Sequence, residues 1–364
     1  MTTTTFDPRW ASAPGATILE ALRARNLTAE DLADALGLSD PDTRRLLHGE
    51  LLISEHLAAG IAGVAGGTAR FWLTRDEQYR ESERLLSAED LAEHMPFTEM
   101  AKWGWISKGG GWRERAALAL DYFGVENRAE WESQFASRIG HAHYRTSPTI
   151  HSSQVSVAAW LRQAELRAAE QPVLEWTPSA AGVAVSQIRE ASRQADPEVF
   201  LPLVSRALAS VGVTLVVVKA PTGCAVSGAA FSVASGQRVI AATARHRADD
   251  HLFFTLLHEL GHHLLHGPDL YLDEFEDSDP SVAEEQADAF AAESLVPGGV
   301  SALVGRTNGP TMRQVVHFAA RVGVAPGVVV GQLQHSGVIG PHQLNKLKRF
   351  YKWDGVTLKS GRSL

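Results

Sequence analysis

The spacing of apolar and polar positions changes about halfway along the chain. From Thr17 to about Arg80, apolar residues recur at helical spacing in short runs that glycines separate. A helical middle follows, in which Val155–Glu170 predicts an amphipathic helix rich in Ala and Leu. The first half of the sequence therefore predicts helices and no sheet.

The pattern after about Glu198 predicts an α+β segment. The β-branched run Val211–Val218 predicts a strand buried on both faces. Two further runs, Ala225–Val233 and Arg238–Ala242, predict strands that a short turn separates, and residues 248–266 then have helical periodicity. The last part, 312–353, is interpreted as three short helices.

These patterns predict a multidomain, mainly α protein. Its predicted parts are an N-terminal arm (1–16), an all-α helix-turn-helix domain (17–82), a helical linker domain (83–196) and an α+β domain with a small sheet and C-terminal helices (197–364). We expect an internal break near Thr146–Ser153.

Composition narrows the class of protein. The 364 residues are 45% hydrophobic and 21% charged, as in soluble globular proteins, and no apolar run approaches the ~20 residues of a membrane helix. The first residues lack the basic and apolar pattern of a secretory signal, so we expect a cytoplasmic protein without membrane partners. The single cysteine, Cys224, excludes an internal disulfide and a cysteine-built zinc site.

The net charge of −8 is unevenly distributed. Ten acidic residues and no Lys or Arg lie between Asp269 and Glu293, whereas His342–Leu364 carries six basic residues against one acid. This distribution excludes a uniformly basic nucleic-acid binder but leaves a local basic face open. The acidic loop predicted at Asp273–Asp279 has two open interpretations, shielding of a site or selection of basic substrates.

The most informative segment is the pentapeptide His258-Glu259-Leu260-Gly261-His262. On a helix, His258 and His262 project from one face and can hold one cation, with Glu259 beside them. The apolar flanks indicate a core helix. The alternative is a polar helix face with surface histidines at 262, 263 and 266; His266 itself is a turn too far to share the metal and is interpreted as an outer-shell or surface residue.

A catalytic zinc needs a third protein ligand and one open position. In one known arrangement, H-E-x-x-H-x-x-G-x-x-H, a glycine and a third histidine follow. Leu265 and Pro268 stand at those two positions, so that arrangement is excluded. Glu284, with Asp288 one turn later to orient a histidine, meets the requirement, whereas Glu285 points elsewhere. The alternative for Glu284 is one more solvated acid in an acidic run.

This set of residues predicts amide hydrolysis with one zinc ion per chain. Zinc lowers the pKa of water towards ~7 and polarises a carbonyl, and Glu259 can take the proton and pass it to the leaving amine. Val226–Ala230 lies where an edge strand can pair with an extended peptide, and Gly228 would permit close approach of the backbone. A plain turn at this position is an equal alternative.

The segment Leu27–Ser39 has the rhythm of a helix-turn-helix, with residues 40–48 as its reading helix. Arg44 and Arg45 are the candidate DNA contacts. Residues 17–82 contain seven Lys or Arg and eleven Asp or Glu, a net charge of −4 that does not favour strong phosphate binding. The alternative is a helical module for dimerisation or partner docking.

Several segments resemble known families. The N-terminal helical part, through Phe71-Trp72-Leu73-Thr74 and Tyr79-Arg80, resembles the helix-turn-helix of HigA-type (XRE-type) antitoxins. The block from Asp249 through HELGHHLLHG, followed by EEQADAFAAESLVP, resembles the ImmA/IrrE zinc metallopeptidases. Segments at 324–335, 342–348 and 351–353 resemble the end of single-chain fusions of these two parts, so the resemblance extends from about Thr17 to Trp353.

The resemblance implies a compact gluzincin-like peptidase domain. In such a domain His258, His262 and Glu284 bind zinc, and Glu259 is the catalytic base. Asp288 stands where many members have Asn, and either residue can orient a histidine.

The resemblance also implies a function and partners. The leading hypothesis is a zinc-dependent endopeptidase coupled to a helix-turn-helix module that recruits a regulator or DNA. Its expected substrate is a helix-turn-helix repressor or antitoxin-type regulator. A toxin is a further candidate partner, and a homodimer is the expected assembly. The alternative is an antitoxin-type transcriptional regulator whose zinc domain binds or senses a partner without cleaving it. A third interpretation is a toxin or defence protein that becomes active on release from a partner.

Overall fold

The computed structural model describes residues 9–142, 152–274, 282–303 and 309–361. Three predictions made above fall partly outside these ranges: residues 1–8 of the arm, residues 146–151 of the predicted break and residues 275–279 of the acidic loop.

The described residues are mainly helical, with a small mixed sheet, which confirms the predicted fold class. The helices are α1 Pro14–Arg23, α2 Ala29–Leu36, α3 Asp40–Leu47, α4 Glu55–Ala65, α5 Ala69–Ser87, α6 Glu89–His94, α7 Phe97–Lys102, α8 Trp112–Phe123, α9 Arg128–Trp131, α10 Ser137–Ala142, α11 Ser152–Ala169, α12 Ala181–Ala191, α13 Pro197–Ala209, α14 Asp249–Leu265, α15 Val282–Leu295, α16 Met312–Val322 and α17 Pro326–His335. The strands are β1 Val213–Val217, β2 Val226–Ser232, β3 Arg238–Ala242, β4 Tyr271–Glu274, β5 Tyr351–Asp354 and β6 Thr357–Ser360.

Within these described ranges, no single helix is long and apolar enough to cross a membrane. Only α16 and α17 taken together reach that length and composition, and the pair is bent by 110°.

The chain forms two compact units. The first contains the described residues up to Glu93 together with Gly109–Trp131, and the second contains His94–Lys108 and the described residues from Glu132 onwards. The segment 83–196 therefore contributes to both units, and the predicted domain boundaries remain a prediction.

Local capping explains the helices of the first unit around the predicted helix-turn-helix. Thr28 and Asp31 form a reciprocal capping box at the start of α2, and their hydrogen bonds lower the pKa of Asp31. Gly37 ends α2 in the left-handed conformation with φ of +64°, and Ser39 caps α3. Buried apolar side chains of α1 to α5 form one hydrophobic core that includes Trp72.

The second unit is built around a sheet with the strand order β1-β3-β2-β4. β1 and β3 are parallel, whereas β2 is antiparallel to both of its neighbours, β3 and β4. Helix α14 packs against β2 and β3, α11 packs against β1 and β3, and residues 226–231 of β2 are all buried. The sheet is thus covered on both faces, as the apolar runs predicted.

Helix α11 differs from the amphipathic helix predicted at 155–170. Its residues Val155–Leu161 are buried on every side. Trp160 donates its ring N–H to the carbonyl of Val218 at 3.1 Å, and Ser156 donates to the carbonyl of Thr222 at 2.8 Å. The alanine-rich sequence lets the sheet and its loops approach the helix closely, so its first half is core rather than surface.

The C-terminal segment contains two α-helices, a single 3₁₀ turn at Asn345–Leu347 and a hairpin. The third helix predicted in 312–353 is therefore only this one turn, and the prediction was wrong for 351–353, which lie in a strand. β5 and β6 pair antiparallel, with Asp354 opposite Thr357. The intervening loop is Gly355-Val356, and Gly355 has φ of +59°, which suits the first position of a two-residue hairpin loop. The alternation of Tyr351, Trp353 and Leu358 with charged residues is the strand signal that the helical interpretation missed.

The N-terminus of α14 is tied to this C-terminal segment by buried charges. Asp249 is fully buried and accepts hydrogen bonds from the backbone N–H groups of Arg349 and Asp250 at 3.1 and 3.0 Å. Lys348 forms an ion pair with Asp250 at 2.5 Å, with both side chains less than a tenth exposed. Burial is the largest influence on Asp249 and raises the pKa of its carboxyl to about 7, while the Arg349 N–H opposes the rise.

We expect Asp249→Asn to flatten the dependence of stability on pH. The folded protein retains the Asp249 proton up to about pH 7, whereas the unfolded chain loses it near 3.8. The stabilisation is therefore fully present below about 3.8 and is lost as pH rises through 7. Urea unfolding at pH 5 and 8 should show the wild type losing up to a few kcal/mol more than the variant. The exposed Asp354→Asn is the control, and equal pH dependence of wild type and Asp249→Asn would contradict the account.

Helices α14 and α15 approach each other closely at Gly261. A Cβ at this position would lie 3.1 Å from a ring carbon of Phe290 and 3.3 Å from the Cα of Ala287. Phe290 and Ala287 therefore dock α15 on α14, and the missing side chain of Gly261 sets the separation of the two helices.

We expect Gly261→Leu to separate α15 from α14, because the added side chain has no space between them. The free energy of unfolding should fall by about 1–3 kcal/mol, measured by urea denaturation. Gly182→Leu is the matched control, since nothing lies within 4 Å of a Cβ at that helical position. A Gly261→Leu protein as stable as the control would show that the close approach is unimportant.

Candidate metal centre

Helix α14 carries its polar residues in a buried environment. His258 and His262 lie one turn apart on the same face and are 3% and 1% exposed, and Glu259 is fully buried. His263 is also buried, and its Nε2–H donates to the carbonyl of Val239 at 3.0 Å. The alternative of surface histidines at 262 and 263 is therefore wrong. Burial also lowers the pKa of His263 to about 4, so this ring is neutral.

The structure brings together the side chains of His258, His262 and Glu284. The two histidine Nε2 atoms are 3.0 Å apart, and the Glu284 carboxylate oxygens lie 3.1 Å from Nε2 of His258 and 3.5 Å from Nε2 of His262. Ligand atoms about 2.0–2.1 Å from a tetrahedral zinc ion are about 3.3 Å from one another. The three side chains thus have the donor types and the spacing of a zinc site, and the cluster can hold one metal ion.

Neighbouring groups orient both histidine rings towards the cluster. His258 donates its Nδ1–H to Asp288 Oδ1 at 2.8 Å. On the other ring, Nδ1 of His262 lies 3.0 Å from Nδ1 of His266, whose Nε2 is 2.9 Å from Gln286 Oε1. Because the Gln286 oxygen accepts from His266, Nδ1 of His266 accepts from His262. Both metal-facing Nε2 atoms therefore keep their lone pairs, as ligation requires.

The pKa shifts of the cluster favour a neutral His262 and an ionised Glu284, which is the protonation state that binds a metal. Burial lowers the pKa of His262, which keeps the ring neutral. Burial opposes ionisation of Glu284, but the two imidazoles beside it outweigh that effect and hold the pKa of the carboxyl below its usual range. Two neutral imidazoles and one carboxylate are the donor set of a catalytic zinc site with a position open to substrate.

Glu259 lies against strand β2. A Cβ at Gly228 would come within 2.5 Å of Glu259 Oε1 and would also collide with Thr255. Only glycine at 228 lets the backbone of β2 pass this close to the helix. The turn interpretation of Val226–Ala230 is therefore wrong, because the segment is a strand.

The same segment is not an edge strand, which corrects the other interpretation. β4 pairs with the side of β2 that faces away from β3, with Ala230 opposite Tyr271 and Gly228 opposite Asp273. Sequence reasoning missed β4 because Tyr-Leu-Asp-Glu lies in an acidic run and contains no β-branched residue. It also missed Tyr271, whose ring stacks on His262 at 4.3 Å and whose hydroxyl donates to the carbonyl of His266.

The other predicted site residues lie in the first unit. Arg44 and Arg45 are exposed on α3, and Arg45 forms an ion pair with Asp42 at 3.2 Å. Their assignment as DNA contacts remains a prediction.

Comparison with known proteins agrees with the geometry of the second unit. Residues 216–333 match the model of the IrrE N-terminal-like domain, Peptidase_M78. The matched segment indicates a metallopeptidase domain and includes β2, β3, α14, β4 and α15, so all three residues of the cluster fall within it.

The match covers about a third of the chain and does not reach residues 17–82, whose resemblance to antitoxins stays a prediction. No curated protein matches the chain.

We expect Glu284→Ala to abolish tight zinc binding and Glu285→Ala to preserve it. Glu284 supplies one of three ligand atoms, whereas Glu285 is exposed on α15. Loss of the Glu284 ligand should weaken zinc binding by more than about 100-fold, because even an outer-shell partner contributes about 10–100-fold. Competition with a chelator measures the affinity. A Glu284→Ala protein with wild-type affinity would contradict the assigned ligand set.

Proposed function

We propose that the protein is a zinc-dependent endopeptidase with Glu259 as its catalytic base. The observation that carries this proposal is the convergence of His258, His262 and Glu284 beside a buried glutamate on the same helix. A purely structural metal site has no use for such a carboxylate and usually closes its fourth position with another protein ligand.

The residues around the cluster have distinct roles in this proposal. Zinc on His258, His262 and Glu284 would acidify water and polarise the scissile carbonyl. Glu259 accepts the proton from the attacking water and returns it to the nitrogen of the leaving amine. Asp288 and His266 hold the two imidazoles in one tautomer and one orientation.

We further propose that the substrate is a helix-turn-helix repressor or antitoxin-type regulator. The resemblance of the N-terminal part to antitoxins supports this substrate class. The net charge of −4 over residues 17–82 favours a protein partner over DNA for that unit, including a second copy of the chain or a toxin.

Glu259→Gln should remove cleavage and retain zinc, because the amide keeps the shape of the side chain but cannot accept the proton. Turnover should fall by about 10²–10⁴-fold, the usual contribution of a general base. Fragments would be compared by mass spectrometry of new N-termini in cells that express the wild type, Glu259→Gln or the exposed control Glu285→Gln. Fragments shared by wild type and control but missing from Glu259→Gln would name the substrate.

Identical fragment patterns in all three strains, with zinc bound and under each inducing stress, would contradict the proposal. That result would support the alternative, a regulator whose zinc domain binds a partner without cleaving it.

A further inference from the structure

We infer that β4 occupies the edge of β2 on which the substrate peptide binds, so that the peptidase is latent until β4 leaves this edge. The inference rests on the proposed peptidase function and concerns the regulation of the same site. It is carried by the sheet register, by the position of Gly228 and by the contact between Tyr271 and His262.

The edge of β2 lies beside the proposed base. The backbone at Gly228 passes so close to Glu259 that a methyl group cannot fit between them. An extended peptide that paired with β2 at this point would bring its own carbonyl groups alongside Glu259. Pairing of this kind fixes a peptide by main-chain hydrogen bonds, and pockets for alternate side chains supply selectivity.

β4 already makes this pairing. It runs antiparallel to β2, and Asp273 lies opposite Gly228, the residue next to Glu259. On the same face, Tyr271 lies opposite Ala230 and stacks on the ring of His262 with an interplanar angle of 13°. The chain therefore places its own extended segment across both the proposed base and a proposed metal ligand.

A cavity of about 1150 Å³ leads to the end of β4. Its wall includes Phe231 and Ser232, which continue β2 beyond the last residue paired with β4, and it also includes Tyr271 and Glu284. A peptide that enters this cavity along the edge of β2 meets β4 at Tyr271. The lining also includes Arg138 and Glu165, which pair at 2.9 Å and lie outside the segment matched by the peptidase family.

β4 pairs with β2 over a short length, so it can leave the edge of β2 without disrupting the rest of the sheet. It is four residues long, it pairs with β2 alone among the described strands, and its pairing is irregular between Val226 and Gly228. Segments with few buried apolar contacts open locally at a lower free energy than the core of a protein. Its main apolar anchor is Leu272, which is 1% exposed and lies opposite Ala229.

The same anchor defines the substrate class. A peptide that replaces β4 takes over its main-chain hydrogen bonds and must fill the space of Leu272. We therefore expect the substrate to offer an extended or locally unfolded segment with a large aliphatic side chain at that position.

A reversible disulfide between β2 and β4 tests the inference. Ala229 and Leu272 are direct partners in an antiparallel pair, whose Cα atoms are about 4.5–5.5 Å apart and within the range of a disulfide. The variant is A229C/L272C with the single natural cysteine changed by Cys224→Ser. The control carries L272C and Cys224→Ser only, so it has the same loss of the leucine but cannot form the bond within one chain.

The zinc-loaded full chain would be studied oxidised and reduced with two probes, Pro-Leu-Gly-hydroxamate binding by calorimetry and cleavage of fluorescein-labelled casein. We expect the reduced double-cysteine protein to bind the hydroxamate at least tenfold more tightly than the oxidised form and to cleave casein at least tenfold faster. The control should give the same values in both redox states.

Equal hydroxamate affinity in the oxidised and reduced forms, or no binding to the reduced form, would overturn the inference. A difference in hydroxamate affinity without casein cleavage in either form would instead uphold the role of β4 and count against the peptidase function. The two proposals can therefore fail separately.

Discussion

The second unit depends on one constraint: α14 is buried on nearly all sides and yet carries polar side chains along its length. Buried polar groups are costly unless they are paired, and neighbouring elements supply partners to several polar side chains of this helix. Asp249 and Asp250 at its start take donors and a cation from the C-terminal segment. His263 uses a carbonyl of β3, and His258 and His262 converge with Glu284 on a position suited to a cation.

The separation of α14 and α15 turns that constraint into a site. Because Gly261 has no side chain, the backbone of α15 approaches close enough for Glu284 to meet both histidines and for Asp288 to orient one of them. The absence of a side chain at Gly228 has the same effect, because it lets the backbone of β2 approach Glu259. Gly261, where α14 meets α15, and Gly228, where β2 meets α14, thus set the distances on which the proposed chemistry depends.

Much of this arrangement could be predicted from sequence because its signals are local. β3 has the predicted bounds Arg238–Ala242, and α14 begins and ends within one residue of the predicted 248–266. The spacing of His258 and His262, and of Glu284 and Asp288, follows from helical geometry alone. The spacing does not specify how α15 docks on α14, which the structure shows through the close approach at Gly261.

The elements that could not be predicted owe their structure to distant partners. β4 is a strand because β2 offers it an edge, and only Tyr271 among its four residues favours a strand on its own. The stack of Tyr271 on His262 and the bond of His266 to Gln286 depend on that placement and on the docking of α15.

The central claim is that His258, His262 and Glu284 hold a catalytic zinc ion. X-ray absorption at the zinc edge of the purified full chain tests this claim most directly. We expect one zinc per chain with two imidazole nitrogens and further oxygen ligands, all at about 2.0–2.2 Å, one oxygen coming from solvent. A protein that binds no zinc, or a spectrum that requires a number of imidazoles other than two, would contradict it.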